Sequence, residues 1–219
     1  MHNNNTSIEN RSVLASLRAV IPTRSSVAFH EALRIAELHA NRLLELHQIN
    51  SGPIPGQLIT ELPKLRVDYV DSPVSGASFW NGQEWVIQLN RNESWTRQRF
   101  TLAHEYKHIV DHGATSRLYT GTRTTTGADL AERAADYFAG CLLVPRKLLK
   151  RAWGRGMQQP RDLARHFQVS EQAIAVRLAQ TGLVERTARC AAPSPPFRSS
   201  APHPNATAFS NASQQERPA

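Results

Sequence analysis

The stretch "RFTLAHEYKHIVDH", residues 99–112, contains two histidines four positions apart, and a glutamate follows the first of them. Positions i and i+4 of an α-helix lie on one face about 6 Å apart, so the imidazoles of His104 and His108 can converge on one ion. A catalytic zinc site has three protein ligands and a fourth position for water, and Glu105 is placed to act as general base toward that water. The pattern also fits a solvated amphipathic helix with a stripe of histidines.

A third ligand decides between these two interpretations. His112 continues the histidine series, but eight helical residues advance about 12 Å, too far for one ion to join it to His104 unless the helix breaks. We expect His112 at the end of the helix, beside the partial negative charge of the helix dipole. Glu132 on the next predicted helix is the better candidate, and Asp136 on the same face can accept a hydrogen bond from a ligand histidine. In the metal-free alternative, Glu132 pairs with a neighbouring arginine.

The composition limits the classes of protein that the chain can represent. Its 219 residues, 40% of them hydrophobic, are enough for a substantial core, and the net charge of +8 favours an anionic partner such as nucleic acid or a DNA-associated protein. The two cysteines, one in an apolar run and one in the tail, suggest neither a disulfide framework nor a thiolate zinc site. We find no signal-peptide pattern and no apolar run near the roughly 18 residues of a membrane span, so we expect a cytoplasmic protein without membrane association.

The residue pattern predicts an α+β protein. Asn81-Gly82, between two runs rich in aromatic residues, is a strong hairpin signal, and we interpret residues 65–90 as a small antiparallel sheet. Helical periodicity surrounds this sheet on both sides in the sequence. The predicted helices cover residues 26–48, 95–111, 129–143 and 146–153.

Composition and pattern together divide the chain into four segments. We predict a flexible N-terminal segment at 1–24, a catalytic domain at 25–155, a helix-turn-helix-like unit at 156–186 and a disordered tail rich in Pro, Ser and Ala at 187–219. The second helix of such a unit can enter the major groove of DNA, but only Arg177 on it is a strong candidate contact. We therefore favour a unit that packs on the catalytic domain or docks a substrate protein over one that binds DNA.

Two motifs in the right order resemble one known family. The run "RQRFTLAHEYKHIVDH" followed by "AERAADYFAGCLLVP" is similar to the ImmA/IrrE metallopeptidases, whose signature joins an HExxH helix to a second helix of the form E-x-x-A-(N/D)-x-F-A-x-x-L-L-x-P. The resemblance spans residues 26–184 and implies a zincin-like, gluzincin-type catalytic core. It also implies one Zn²⁺ per chain, bound by His104, His108 and Glu132, with Glu105 as the catalytic base.

Two positions depart from the family pattern. Lys107 stands where glycine is common, and Asp136 stands where asparagine is frequent. Neither departure removes a ligand that the resemblance implies.

Members of this family typically cleave helix-turn-helix repressors of the XRE type. The resemblance therefore implies a zinc endopeptidase that acts as an anti-repressor of a mobile element or a stress response. Two alternatives remain open: a DNA-binding regulator with a vestigial zinc site, and a toxin–antitoxin component that acts by binding without proteolysis.

The sequence is less informative about substrate binding and transition-state stabilisation. The hairpin over residues 77–89 is our candidate for an edge strand that pairs with the extended substrate backbone. Trp80 or Trp85 could line a substrate pocket, although aromatic residues of a small sheet more often belong to the core. Tyr119 and Tyr137 are candidate stabilisers of an oxyanion.

Overall fold

Twelve regular elements follow one another in the part of the chain that the structure, a computed structural model, describes, which is residues 12–184. The outer ends of the predicted flexible segment and of the helix-turn-helix-like unit, and the whole predicted tail, lie outside these residues. None of the helices within residues 12–184 combines the length and the apolar character that a membrane-spanning helix requires. The elements are α1 (Val13–Arg18), α2 (Phe29–Leu46), α3 (Gln57–Thr60), β1 (Leu65–Val70), β2 (Gly76–Trp80), β3 (Trp85–Asn90), α4 (Trp95–Asp111), α5 (Thr115–Leu118), α6 (Gly127–Leu143), α7 (Arg146–Gly154), α8 (Pro160–Phe167) and α9 (Glu171–Thr181).

The three strands form a mixed sheet in the order β1-β3-β2. The predicted hairpin between β2 and β3 is present, but β1 pairs with β3 in parallel, so the prediction of a wholly antiparallel sheet is wrong. After β1 the chain passes the C-terminal end of β3 and enters β2 on the far side, which makes β3 the central strand. Its side chains explain this position, because Val86, Ile87 and Leu89 are all buried and a central strand is covered on both faces.

The core forms where α6 packs against both α2 and α4. Small side chains on these helices, such as Ala36 on α2 and Ala139 on α6, are fully buried and allow the helix axes to approach closely. Larger residues fill the remaining space, among them Tyr106 on α4 and Phe138 on α6, whose ring centroids lie 6.5 Å apart. The apolar face of α6 is thus covered by α4 on one side and by α2 on the other.

Helix α1 lies in the N-terminal segment and packs on the end of α4. Leu17 is fully buried, and the Arg18 guanidinium donates hydrogen bonds to the carbonyls of Ile109 (2.7 Å) and Val110 (3.2 Å). The last carbonyls of a helix lack partners within the helix, so a cation at this position also complements the helix dipole.

The α8–α9 helix pair packs on the rest of the molecule through two buried arginines. Arg177, the candidate DNA contact, is 1% exposed, and its Nε donates to the Val144 carbonyl at 3.2 Å. Gly140 on α6 makes room for it, since a Cβ there would lie 3.0 Å from the Arg177 side chain. Arg99 on α4 donates to the carbonyls of Phe167 and Gln168 at the end of α8. In this arrangement α9 does not present Arg177 to a nucleic acid.

A group of buried polar side chains lies between α2, α4 and α5. Lys107 is 1% exposed and pairs with Asp111 on the next turn of α4. The Tyr119 hydroxyl also donates to Asp111, and burial raises the pKa of Tyr119. His39 on α2 is fully buried near this group, and its burial, together with the charge of Lys107, lowers its pKa to about 3.

The depressed pKa of His39 predicts a loss of stability in mild acid. Unfolding restores the ordinary pKa of 6.5 to this imidazole, so between about pH 6.5 and 3 the unfolded chain binds a proton that the folded chain does not. This group should lower the free energy of unfolding by up to about 1.4 kcal/mol for each pH unit of acidification across that window. His39→Leu should reduce the pH dependence of the free energy of unfolding by the equivalent of one bound proton. Urea unfolding between pH 4 and 6, in the presence of a metal chelator, measures this dependence.

The matched control is His166→Leu, because His166 lies exposed on α8. It should keep the wild-type slope. An unchanged slope in His39→Leu would contradict burial of His39 in its neutral form.

Candidate metal centre

Helices α4 and α6 supply the residues of the candidate site, and both begin at well-defined caps. The Ser94 side chain accepts a hydrogen bond from the Arg97 N–H at the start of α4. Thr126 and Asp129 form a reciprocal capping box at the start of α6. Caps of this kind define where a helix begins and therefore which side chains face the neighbouring helix.

The packing of these helices brings together two imidazoles and one carboxylate. Nε2 of His104 lies 3.1 Å from Oε2 of Glu132, and Nε2 of His108 lies 3.3 Å from Oε1 of the same carboxylate. The two Nε2 atoms are 3.1 Å apart. These three residues form a group of potential metal ligands whose donor atoms all lie within 4.8 Å of one another.

These separations fit a tetrahedral zinc site. Ligand bonds of about 2.0–2.1 Å at tetrahedral angles place neighbouring donor atoms about 3.3 Å apart. His104 Nδ1 lies 2.9 Å from Asp136 Oδ1, and if it donates its proton there, Nε2 presents a lone pair toward Glu132. Lone pairs facing one another at this distance are repulsive unless a proton or a metal cation lies among them. The chemistry of the donor set therefore fits a divalent ion.

The two histidines differ in their electrostatic surroundings. Burial alone would lower the pKa of His104, but the hydrogen bond with Asp136 and the nearby carboxylates outweigh burial, so its pKa lies above the ordinary value. The pKa of His108 is lowered, first by burial and then by the neighbouring His104, in spite of the carboxylates around it. A carboxylate partner for His104 is the arrangement that orients a metal-binding imidazole and raises its basicity.

Glu105 lies on the side of α4 that faces strand β2. It is 9% exposed, and the Ser78 hydroxyl on β2 donates a hydrogen bond to its Oε2 at 2.8 Å. Gly76 lets the strand lie directly on the helix, since a Cβ there would collide with Thr101 and lie 3.3 Å from Cγ of Glu105. The sequence offered no signal for Ser78 or Gly76, because a serine or glycine in a short strand belongs to no motif.

The other candidate residues lie outside this group. His112 caps the C-terminus of α4, as predicted, and packs on the sheet with its ring centroid 4.9 Å from that of Trp85. The hydroxyl of Tyr119 is directed to Asp111, and that of Tyr137 donates to Glu37 at 3.1 Å. The structure thus gives both tyrosine hydroxyls carboxylate partners away from the three ligand candidates.

Strand β2 lies at an edge of the sheet and is partly exposed. Phe79 and Trp80 are 43% and 46% exposed, and Trp80 contacts Trp85 with ring centroids 5.6 Å apart. A strand at a sheet edge has unpaired backbone groups along one side, which can pair with an extended peptide. The same strand carries the hydroxyl that contacts Glu105.

Comparisons with known proteins concern the family and the fold. Residues 65–179, about half of the chain, match the sequence model of Peptidase M78, described as the IrrE N-terminal-like domain. A solved structure described as a Mycobacterium tuberculosis transcriptional regulator is similar in fold, with a TM-score of 0.55 and 17% sequence identity. The similarity covers 75% of this chain and 50% of the other, so this chain spans half the length of that regulator. No curated protein matches the chain.

The geometry predicts that the chain binds one zinc ion and that Glu132 is one of its ligands. Glu132→Ala should weaken zinc binding by about 100-fold or more, because removing a hydrogen-bonding partner of a ligand already costs about 10–100-fold. Isothermal titration calorimetry of the metal-free full chain with zinc measures both the stoichiometry and the affinity. Glu45→Ala, which removes an exposed carboxylate from α2, should bind as the wild type does. Equal affinities in all three proteins would exclude Glu132 as a ligand.

Proposed function

The chain belongs to the Peptidase M78 family, and from this premise we propose that it is a zinc-dependent endopeptidase with a zincin-like, gluzincin-type core. The observation that carries the proposal is the convergence of His104, His108 and Glu132 beside a buried glutamate. Two imidazoles and one carboxylate with an open fourth position are the ligand set of a catalytic zinc site.

Each residue has a separate role in the proposed reaction. Bound zinc would polarise the scissile carbonyl and acidify a water molecule. Glu105 takes a proton from the attacking water as the new C–O bond forms, and it returns that proton to the amine as the C–N bond breaks. Asp136 holds His104 in the tautomer that leaves Nε2 free to bind the metal.

The edge of β2 is our proposed binding surface for the substrate backbone. A peptide added to this edge in an extended conformation would run beside Glu105, because Ser78 on the same strand contacts that side chain. The exposed rings of Phe79 and Trp80 lie on opposite faces of the sheet, so each would contact substrate side chains on its own face.

We propose a helix-turn-helix repressor of the XRE type as the substrate, so that cleavage switches on genes of a mobile element or a stress response. The resemblance to the ImmA/IrrE metallopeptidases, whose members typically cleave such repressors, supports this class, and the net charge of +8 suits a partner that works on DNA. The name of the M. tuberculosis regulator is in keeping with a role in transcription. Direct DNA binding through α9 is less favoured, because its Arg177 is buried.

Glu105→Gln should abolish cleavage and retain zinc. Loss of a general base typically lowers a rate by about 100- to 10,000-fold, whereas the zinc ligands are unchanged in this variant. The measurement is incubation of wild type and variant with a purified XRE-type repressor, followed by mass spectrometry of the fragments. If both proteins leave the repressor intact and both still relieve repression, the chain acts by binding. A salt-sensitive gel shift with the protein alone would favour the DNA-binding alternative.

Ser78→Ala should lower kcat by about 5-fold, the equivalent of one hydrogen bond worth about 1 kcal/mol, because Glu105 loses the donor that orients it. Zinc affinity should be unchanged, since Ser78 contacts no proposed ligand. Ser72→Ala, which removes a hydroxyl from the turn before β2, is the matched control and should keep the wild-type kcat. A wild-type kcat in Ser78→Ala would show that Glu105 needs no orientation from β2.

A further inference from the structure

A cavity of about 570 Å³ lies beside the candidate metal centre, with walls formed by α2, α4, α6 and α9. Its volume is within the range of about 300–1,000 Å³ found for ligand pockets. Asp136 lines it, and the same carboxylate lies 2.9 Å from Nδ1 of His104. The cavity therefore adjoins the place where a peptide bond would be cleaved.

The charged side chains of the cavity wall are mainly cationic. Three arginines line it, Arg97, Arg133 and Arg177, against the single carboxylate of Asp136. Arg97 lies 3.8 Å from Glu93 at the start of α4. Arg133 has no ion pair with any of the described residues, and its guanidinium lies over the ring of Phe29 at 4.7 Å. Asp136 is hydrogen-bonded to His104 and is therefore not paired with these arginines. The cavity wall consequently carries an excess of positive charge.

Arg177 also lines the cavity, and one of its buried donor atoms lacks a hydrogen-bond partner among the described residues. Its side chain is 1% exposed, and Nε and Nη1 donate to the Val144 carbonyl and the Gln180 side chain. Nη2 has no hydrogen-bond partner within residues 12–184. A buried donor without a partner is unfavourable, and a guanidinium is best satisfied by a carboxylate, which accepts two parallel hydrogen bonds.

Two helix N-termini also border the cavity. Ser94 and Ser170, the N-caps of α4 and α9, both line it. The N-terminal end of a helix carries a partial positive charge, so both ends add to the attraction for an anion. The remaining wall includes apolar residues such as Leu33, Phe100 and Val176, which suit the methylene groups of an amino-acid side chain.

We infer that this cavity is a specificity subsite that binds an acidic side chain, glutamate or aspartate, of the polypeptide being cleaved. The acidic residue would lie within a few positions of the scissile bond, because the cavity adjoins the metal centre through Asp136. This inference rests on the proposed peptidase function and names a feature of its substrate.

Selection of binding peptides with an inactive full-length protein tests the subsite without requiring turnover. The zinc-loaded Glu105→Gln protein is used to select from a phage-displayed library of random peptides. We expect aspartate and glutamate to be enriched at least 5-fold at one position. Adding Arg133→Glu should abolish this enrichment and favour lysine or arginine at the same position. Adding Arg161→Glu, an equal charge change at an exposed position of α8 outside the cavity, should leave it intact.

Arg133 follows the proposed ligand Glu132 directly, so zinc stoichiometry and thermal unfolding are measured for each variant. Arg97→Glu, on a different helix, provides a second charge reversal in the same wall and should also abolish the preference for acidic residues. If either cavity variant leaves the preference unchanged while it retains zinc and fold, the inference is wrong.

The remaining outcomes separate this inference from the peptidase proposal. The subsite inference is wrong if the selected peptides show no preference for acidic residues. It is also wrong if Arg161→Glu loses this preference to the same extent as the cavity variants. If acidic peptides are selected but the wild-type protein cleaves none of them, the peptidase proposal fails, and the cavity is a binding site for acidic side chains and not a specificity subsite of a peptidase. If the wild type cleaves library peptides with no acidic residue at a fixed position, the peptidase stands and the subsite fails.

Discussion

The contact between α4 and α6 is the constraint on which the candidate site depends. Neither helix alone offers three donors to one ion, because His104 and His108 belong to one helix and Glu132 to the other. Their packing leaves donor atoms 3.1–3.3 Å apart, a separation that buried apolar side chains such as Phe138 maintain. Hydrophobic packing thereby opposes the repulsion among three convergent lone pairs, and a bound cation would remove that repulsion.

Polar side chains surround α4, and their hydrogen bonds fix the position of this helix relative to α1, the sheet and α8. Arg18 satisfies carbonyls at its C-terminus, Ser78 contacts Glu105 on the side of the sheet, and Arg99 connects it to the end of α8. The buried pair of Lys107 and Asp111 requires near-complete hydrogen bonding to offset its desolvation, which Tyr119 helps to supply. The lysine at position 107 is therefore accommodated by its buried partners Asp111 and Tyr119.

Helix α9 is the second helix of the predicted helix-turn-helix-like unit, and it also forms part of the wall of the cavity next to the proposed catalytic centre. Its Arg177 is the same residue that the sequence suggested for DNA contact, but Gly140 on α6 admits it into the interior. The guanidinium lies over the Tyr137 ring at 5.7 Å and contributes to the cavity instead of a nucleic-acid surface. An arginine suited to phosphate is equally suited to a carboxylate, so packing decides which anion can reach it.

The sequence by itself determined the local features of this protein. The spacing of His104 and His108, the hairpin at Asn81-Gly82, the extent of α4 and the family follow from patterns within a few residues or within one motif. Such patterns depend on backbone periodicity and turn chemistry, which act over short stretches of chain.

Only the tertiary structure decided the features that depend on distant segments. These are the parallel pairing of β1 with β3, the contact of Ser78 with Glu105, and the burial of Arg177. Each depends on how side chains that are far apart in sequence pack together in the interior. The residue periodicity within one segment does not specify such packing.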